Sequence, residues 1–305
     1  MEDIIWKEVE EQAALNIAGL VYRSEKYFDN QVEELARAIF NDKDIKIVFV
    51  AGPSSSGKTT FSKLLQHDLR ALGIMAHYVG LDDFFINRED LPILPSGLKD
   101  FDSIHAIDLP LVQQAITGIL NNEWVEVPKY NFLTGEREDE HFILKFMPND
   151  IVIVEGIHGL NPMFSKMFGV DKSAKVAIRP MRNIRMPSGR ILSCEELRLL
   201  RRAIRDVNTR GYSFEDTARQ WKEVRAVEEK MIYPYMDQAD FKIDSGHEYE
   251  LFLYKQSTAK YLKDCYSDEF ANIRECMKEI SNKSIPEIPA TSLLNEFTTF
   301  KRVDF

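Results

Sequence analysis

An α/β fold with a mainly parallel sheet is predicted for this chain of 305 residues. Three observations predict it. Apolar, β-rich runs recur at residues 45–51, 74–81 and 151–154. Stretches with helical periodicity separate several of them. A Gly-rich turn joins the first run to an amphipathic helix.

The elements follow in order. Residues 1–44 read as helical: Val32, Leu35, Ala36, Ile39 and Phe40 repeat at the spacing of one apolar face. Residues 45–51, Ile-Lys-Ile-Val-Phe-Val-Ala, suit a buried parallel strand. After the turn, Phe61, Leu64, Leu65, Leu69 and Leu72 mark a helix, and Gly73 is its stop. A second strand is expected over 74–81. Residues 124–128 and 142–146, with Gly135 between them, predict a small antiparallel hairpin lobe. Residues 151–155 form another buried strand, and 175–178 and 241–243 are shorter candidates. A polar helix is expected over 256–280. Residues 285–289, Ile-Pro-Glu-Ile-Pro, read as a stiff linker into a C-terminal tail. The expected division is a helical extension over 1–45, a core domain over 46–255 and a helical and extended tail over 256–305.

Composition narrows the function. The 39 Lys and Arg against 49 Asp and Glu give a formal charge of −10. That balance argues against binding along nucleic acid, which needs a net basic face. No run of about 18 uncharged apolar residues occurs, so no membrane span is expected. Cys194, Cys265 and Cys276 are scattered and suit neither a zinc site nor a full set of disulfides. A reducing cytoplasm is the simplest location.

Gly52-Pro53-Ser54-Ser55-Ser56-Gly57-Lys58-Thr59 matches G-x-x-x-x-G-K-[ST], the phosphate loop (P-loop). Its glycines let backbone N–H groups curl around phosphate oxygens, and the helix behind it adds its positive end. Lys58 is expected on the β- and γ-phosphates and the Thr59 hydroxyl on Mg²⁺. Thr60 continues the cradle. Glu155 ends the strand at 151–154 and is the second candidate for Mg²⁺, held directly or through water. Taken alone it is equally a solvated strand-end carboxylate.

A small-molecule kinase also needs an acid to orient or deprotonate an alcohol and cations for the moving phosphoryl group. The segments D-x-x-G and N-K-x-D, which a GTPase switch carries, are missing. Asp82 follows the second strand, at the carboxyl edge where α/β sheets bind ligands, and is the candidate general base. In isolation Asp82-Asp83 also reads as a helix cap. Arg198, Arg201, Arg202 and Arg205 repeat at i, i+3, i+4 and i+7, so one helix face carries four guanidinium groups. They repel one another and call for a polyanion, unless surface acids such as Asp206 pair with them. With Arg210 they suggest a lid over the phosphates.

These residues together resemble the uridine kinases and the related phosphoribulokinases, from about residue 45 to about residue 245. The loop at 51–61 looks like the family's loop. Leu81-Asp82-Asp83-Phe84-Phe85 resembles D-x-F-[YFH], whose first Asp is the family's base and maps to Asp82. Phe101-Asp102 looks like the segment that holds ribose hydroxyls, and Pro128-Lys129-Tyr130-Asn131-Phe132 like the segment beside the nucleobase. Arg201-Arg202-Ala203-Ile204-Arg205-Asp206 and Arg210-Gly211 look like the lid motif. The resemblance implies a P-loop NTPase three-layer sandwich with a helical lid. It implies ATP and Mg²⁺, with Lys58, Arg202, Arg205 and Arg210 assisting transfer. It places Phe101, Asp102, Tyr130 and Phe132 around the acceptor and implies self-association.

The chain also resembles a subgroup of bacterial uridine-kinase-like proteins often fused behind TGS and synthetase-like editing domains. Residues 288–297 resemble its ending, and 1–44 only its connector, so the fused domains are expected to be absent. Gly135 stands where the family has a base-contacting His, Tyr212 where it has an Arg, and Asn131 where it has an Asp. The expected function is ATP-dependent phosphoryl transfer to a small-molecule hydroxyl, with the 5′-hydroxyl of uridine or cytidine first. A nucleotide-binding regulatory module and a kinase of another sugar-like alcohol are the alternatives.

Overall fold

The computed structural model describes residues 2–93, 97, 99–169 and 172–298. Its central sheet has five strands, all parallel. The spatial order is Phe241–Asp244, Ser173–Arg179, Ile47–Ala51, Ile151–Glu155, Ala76–Gly80. Ile47–Ala51 lies in the middle and every residue of it is buried, which is why it reads as an unbroken apolar run rather than an alternating one. Its residues divide between two apolar layers. Val48 and Val50 face Phe28, Phe61 and Leu200. Phe49 and Ile47 face the side that holds Val112, Ile116 and Phe164. Each large side chain buried this way contributes roughly 1.5–3 kcal/mol.

Register aligns the chemistry. Glu155 lies opposite Val50 on one side and Gly80 on the other. The phosphate loop, Asp82 and Glu155 therefore leave the sheet at one carboxyl edge.

The N-terminal helix runs Trp6–Asn41, as its periodicity predicts, but it breaks at Asn16 (φ −160°, ψ 87°). Asn16 Oδ1 accepts the Gly19 N–H at 2.9 Å, so this residue caps the second segment. Ahead of it Ile4–Ile5 pairs in parallel with Ile184–Arg185, a two-residue ladder too short for any periodicity to announce. The hairpin lobe forms as expected: Trp124–Val127 runs antiparallel to Phe142–Lys145.

The helix expected over 256–280 is two helices, Glu250–Asp264 and Ala271–Lys278. Ser267 accepts the Glu269 N–H and starts a separate turn, Asp268–Phe270. This lets Phe270 enter the core and stack 5.2 Å from Phe214. The segment after the linker is also part of the core, because Leu293, Leu294 and Phe297 are fully buried. Among the described residues no helix is long and apolar enough to cross a membrane.

Candidate active site

The loop at 52–58 folds against the neighbouring strand. A Cβ at Gly52 would fall 2.1 Å from the Ile178 carbonyl oxygen, so only glycine fits. Ser55 (φ +59°) and Gly57 (φ +87°) take the left-handed conformation that curls successive N–H groups inward. The helix Lys58–Ala71 then starts without a side-chain cap from the preceding residue, which leaves first-turn donors for an anion. Lys58 lines the cleft above the loop, with Nζ 3.4 Å from the Pro53 carbonyl.

Ser54 is held on every side. Its N–H donates to Glu228 Oε1 at 3.0 Å, and its carbonyl accepts from Arg198 at 3.1 Å. Its hydroxyl oxygen accepts from Arg202 at 3.0 Å and from Arg205 at 3.4 Å.

Glu155 is buried and accepts from Thr59 Oγ1 at 3.1 Å and from the Tyr78 hydroxyl at 2.9 Å. Burial pushes its pKa up to about 7; Lys58 opposes this and Asp82 adds to it. Among the described residues no group of three or more His, Cys, Asp or Glu is arranged to hold a metal. A hydroxyl and one buried carboxylate do fit Mg²⁺, which keeps several waters and takes the rest of its shell from phosphates.

Asp82 lines the cleft and is exposed to it. Burial raises its pKa, Lys58, Arg210 and Arg205 lower it, and Asp102 raises it. Asp83 turns away. It accepts the Tyr130 N–H at 3.3 Å, and burial lifts it to about 6. The two neighbouring acids thus separate into one cleft residue and one structural residue.

The arginine helix, Cys194–Thr209, begins with a reciprocal cap between Ser193 and Glu196. The expected face of four repelling guanidinium groups is corrected by two distant partners. Arg198 makes two 2.7 Å hydrogen bonds to Glu228, and Arg201 meets Glu250 at 2.9 and 3.0 Å. Both arginines are buried and neutralised. The local spacing gave no sign of these acids, which lie 30 and 49 residues away. Arg202, Arg205 and Arg210 line the cleft. They share one carboxylate, Asp206, at 3.4, 3.5 and 3.4 Å. Asp206 is fully buried, so it is an internal counter-ion and not a surface acid. Three cations against one acid leave positive charge to spare. Burial and the neighbouring Arg210 push Arg205 down to about 10.

The other end of the cleft, which encloses about 340 Å³, is lined by Phe85, Phe101, Asp102 and Phe132. Tyr130 lies behind this wall, edge-on to Phe85 and Phe132 at 5.6 and 5.1 Å. Its hydroxyl is buried without a partner among the described residues. The Asp102 carbonyl accepts from His158 Nε2 at 2.8 Å, so His158 holds the Asp102 segment, the local structural role.

Several contributors have no signal in the local sequence. Arg88 and Lys99 line the cleft. Arg88 donates to the Phe132 carbonyl and occupies the space beside Gly135, where a Cβ would fall 2.6 Å from Arg88 Nε. Thr60, an expected phosphate donor, gives its N–H to Glu296 at 2.9 Å.

Comparison with known proteins bears on the family and the fold. The model of the Phosphoribulokinase / Uridine kinase family matches residues 47–251. A uridine kinase of Latilactobacillus sakei is 29% identical over 206 residues, covering 66% of this chain and 85% of that protein. One of Staphylococcus carnosus is 28% identical over 201 residues, covering 66% and 87%. A crystal structure from Silicibacter sp. TM1040, described as a fructose transport system kinase, superposes with a TM-score of 0.51. At 18% identity, covering 69% of this chain and 98% of that one, it bears on the fold alone. With a family match across most of the cleft's own residues, the chain belongs to the Phosphoribulokinase / Uridine kinase family and is a kinase.

Proposed function

We propose that this kinase transfers the γ-phosphoryl group of ATP to a hydroxyl of a small molecule, with a nucleoside such as uridine or cytidine as the first candidate. One observation carries the reading. Asp82, Lys58, Arg202, Arg205 and Arg210 share one cleft with Asp102. The loop residues 52–60 would hold the phosphates. Thr59 and Glu155 would hold Mg²⁺, which supplies charge neutralisation between the phosphates. Asp82 would orient the acceptor hydroxyl and take its proton. Asp102 would hold the acceptor. The three arginines would meet the negative charge of the moving group without reorganising, since Ser54 and Asp206 already fix them. Phe101 and Phe132 form the apolar wall for the rest of the acceptor, with Tyr130 behind them.

A second reading has its own observation. Arg88 and Lys99 line the cleft, and Arg88 donates to the Phe132 carbonyl. Lys99 rests on the Glu89 and Leu91 carbonyls. Two such cations favour an acceptor alcohol that carries a phosphate or a carboxylate.

A screen of nucleosides, sugars and their phosphorylated or carboxylated relatives, read by ATP consumption, tests both. Turnover with a nucleoside supports the first and turnover only with anionic alcohols the second. Tight ATP binding with no acceptor turned over would overturn both in favour of ATP as a regulatory ligand.

A further inference from the structure

Thr60 is the third residue of the helix Lys58–Ala71. Its N–H is one of the donors that a helix start offers to a phosphate. In this chain that donor is already taken by an anion. Glu296 Oε1 accepts from Thr60 N at 2.9 Å and also from the Thr60 hydroxyl. Glu296 also lies close enough to Arg205 to act on its charge.

The segment that carries Glu296 is bound along the loop. Leu293 lies against Gly57, where a Cβ would fall 2.2 Å from Leu293 Cδ1. Leu293, Leu294 and Phe297 are fully buried, and the Phe297 ring sits 5.1 Å from the Arg201 guanidinium carbon. Ser292 donates to Glu25 at 2.7 Å, and Asn208 donates to the Thr298 carbonyl at 3.4 Å. The helix Trp6–Asn41, the arginine helix and the phosphate-loop helix thus all hold this one segment.

A carboxylate and a phosphate oxygen cannot both take the Thr60 N–H at full strength. Two anions at one helix start also repel each other. We propose that residues 292–298 are an autoinhibitory strap, in which Glu296 stands in for a nucleotide phosphate at Thr60 and withdraws when nucleotide seats. The proposal rests on the nucleotide reading given above. A site open for only a fraction of the time binds its ligand more weakly by that fraction, so the strap sets the apparent affinity for nucleotide.

Calorimetric titration of ATP into the full chain and its E296A and E296Q variants tests this. E296A is expected to bind about tenfold tighter, the scale of one charge-assisted hydrogen bond. E296Q is expected to lie between the two, because its amide oxygen still accepts from Thr60 but carries no charge. In the unmutated chain, saturating ATP is expected to speed amide hydrogen exchange over 292–298 and to slow it at Thr60. That measurement needs no variant, so it decides the matter even if E296A does not fold. Equal affinity in all three chains, or slower exchange over 292–298 with ATP, would overturn the strap alone. ATP binding by none of the three would overturn the nucleotide reading and the strap with it.

Discussion

Arg198 and Glu228 form a two-point ion pair, 2.7 Å at each nitrogen, with each side chain about 1% exposed. The Glu228 oxygen that receives Arg198 Nη1 also accepts the Ser54 N–H at 3.0 Å. One buried pair between the helices Cys194–Thr209 and Phe214–Met231 is therefore fixed to the backbone of the phosphate loop.

Glu228→Ala leaves a buried guanidinium group without its partner. Breaking such a pair from one side costs about 3–5 kcal/mol. The expected result is a large fall in the thermal midpoint and a higher KM for ATP, since Ser54 loses the acceptor of its N–H. Glu228→Gln keeps an acceptor and is expected to lose less of both. Thermal unfolding and steady-state kinetics measure the two effects, and a native midpoint in Glu228→Ala would remove the pair from its supporting role.

Asp82→Asn tests the proposed base. The amide keeps the shape of the side chain but cannot accept a proton. We expect turnover to fall by about 10²–10⁴-fold, the usual contribution of a positioned base, while ATP binding is retained. Asp83→Asn is the internal control, because Asp83 faces the Tyr130 N–H and not the cleft. A larger loss from Asp83→Asn than from Asp82→Asn would reverse the assignment.

Glu155 makes stability depend on pH in a direction that can be derived. Burial lifts its pKa from 4.5 to about 7, so the folded chain binds this proton more tightly than the unfolded chain does. Its contribution is complete below pH 4.5 and is lost as pH rises through about 7. Glu155→Gln cannot ionise. Without divalent ions, the variant is expected to gain on the native chain as pH rises from 5 to 8, by up to about 3 kcal/mol. Urea unfolding across that range reads the difference directly. A gap that stays constant with pH would show that Glu155 titrates as an ordinary carboxylate.

The sheet was legible because its central strands are buried on both faces and so appear as continuous apolar runs, as at 47–51 and 151–154. The phosphate loop was legible because its chemistry demands fixed residue types at fixed spacing. Asp82 and Glu155 followed from standing at strand ends on that same edge. Arg198 and Arg201 were misleading for the opposite reason. Helical periodicity reports which residues share a face, but not which distant acid meets that face. Glu228, Glu250 and Glu296 come from elements far along the chain, and only tertiary packing brings them in. The tail read as a helical and extended segment outside the core domain because Leu293, Leu294 and Phe297 occupy a single short turn, Leu293–Phe297, too brief to show a period.

Arg88 separates the two acceptor readings. Its guanidinium group donates to the Phe132 carbonyl and stands 5.9 Å from the Phe101 ring, so it borders the wall where the acceptor would lie. Arg88→Met keeps much of the apolar stem and removes the charge. With an anionic alcohol, losing one charge-assisted contact of about 1.5–3 kcal/mol should raise KM by roughly 10–100-fold. With a neutral nucleoside no charged contact to the acceptor is lost, and only the packing and the hydrogen bond to the Phe132 carbonyl change. Transfer itself depends on Asp82, so kcat is expected to change much less than KM in either case. Steady-state kinetics with one nucleoside and one phosphorylated sugar, each against native and Arg88→Met chains, decides between them. A large KM increase for the nucleoside alone would count against the anionic reading and would make Arg88 a contact to the base.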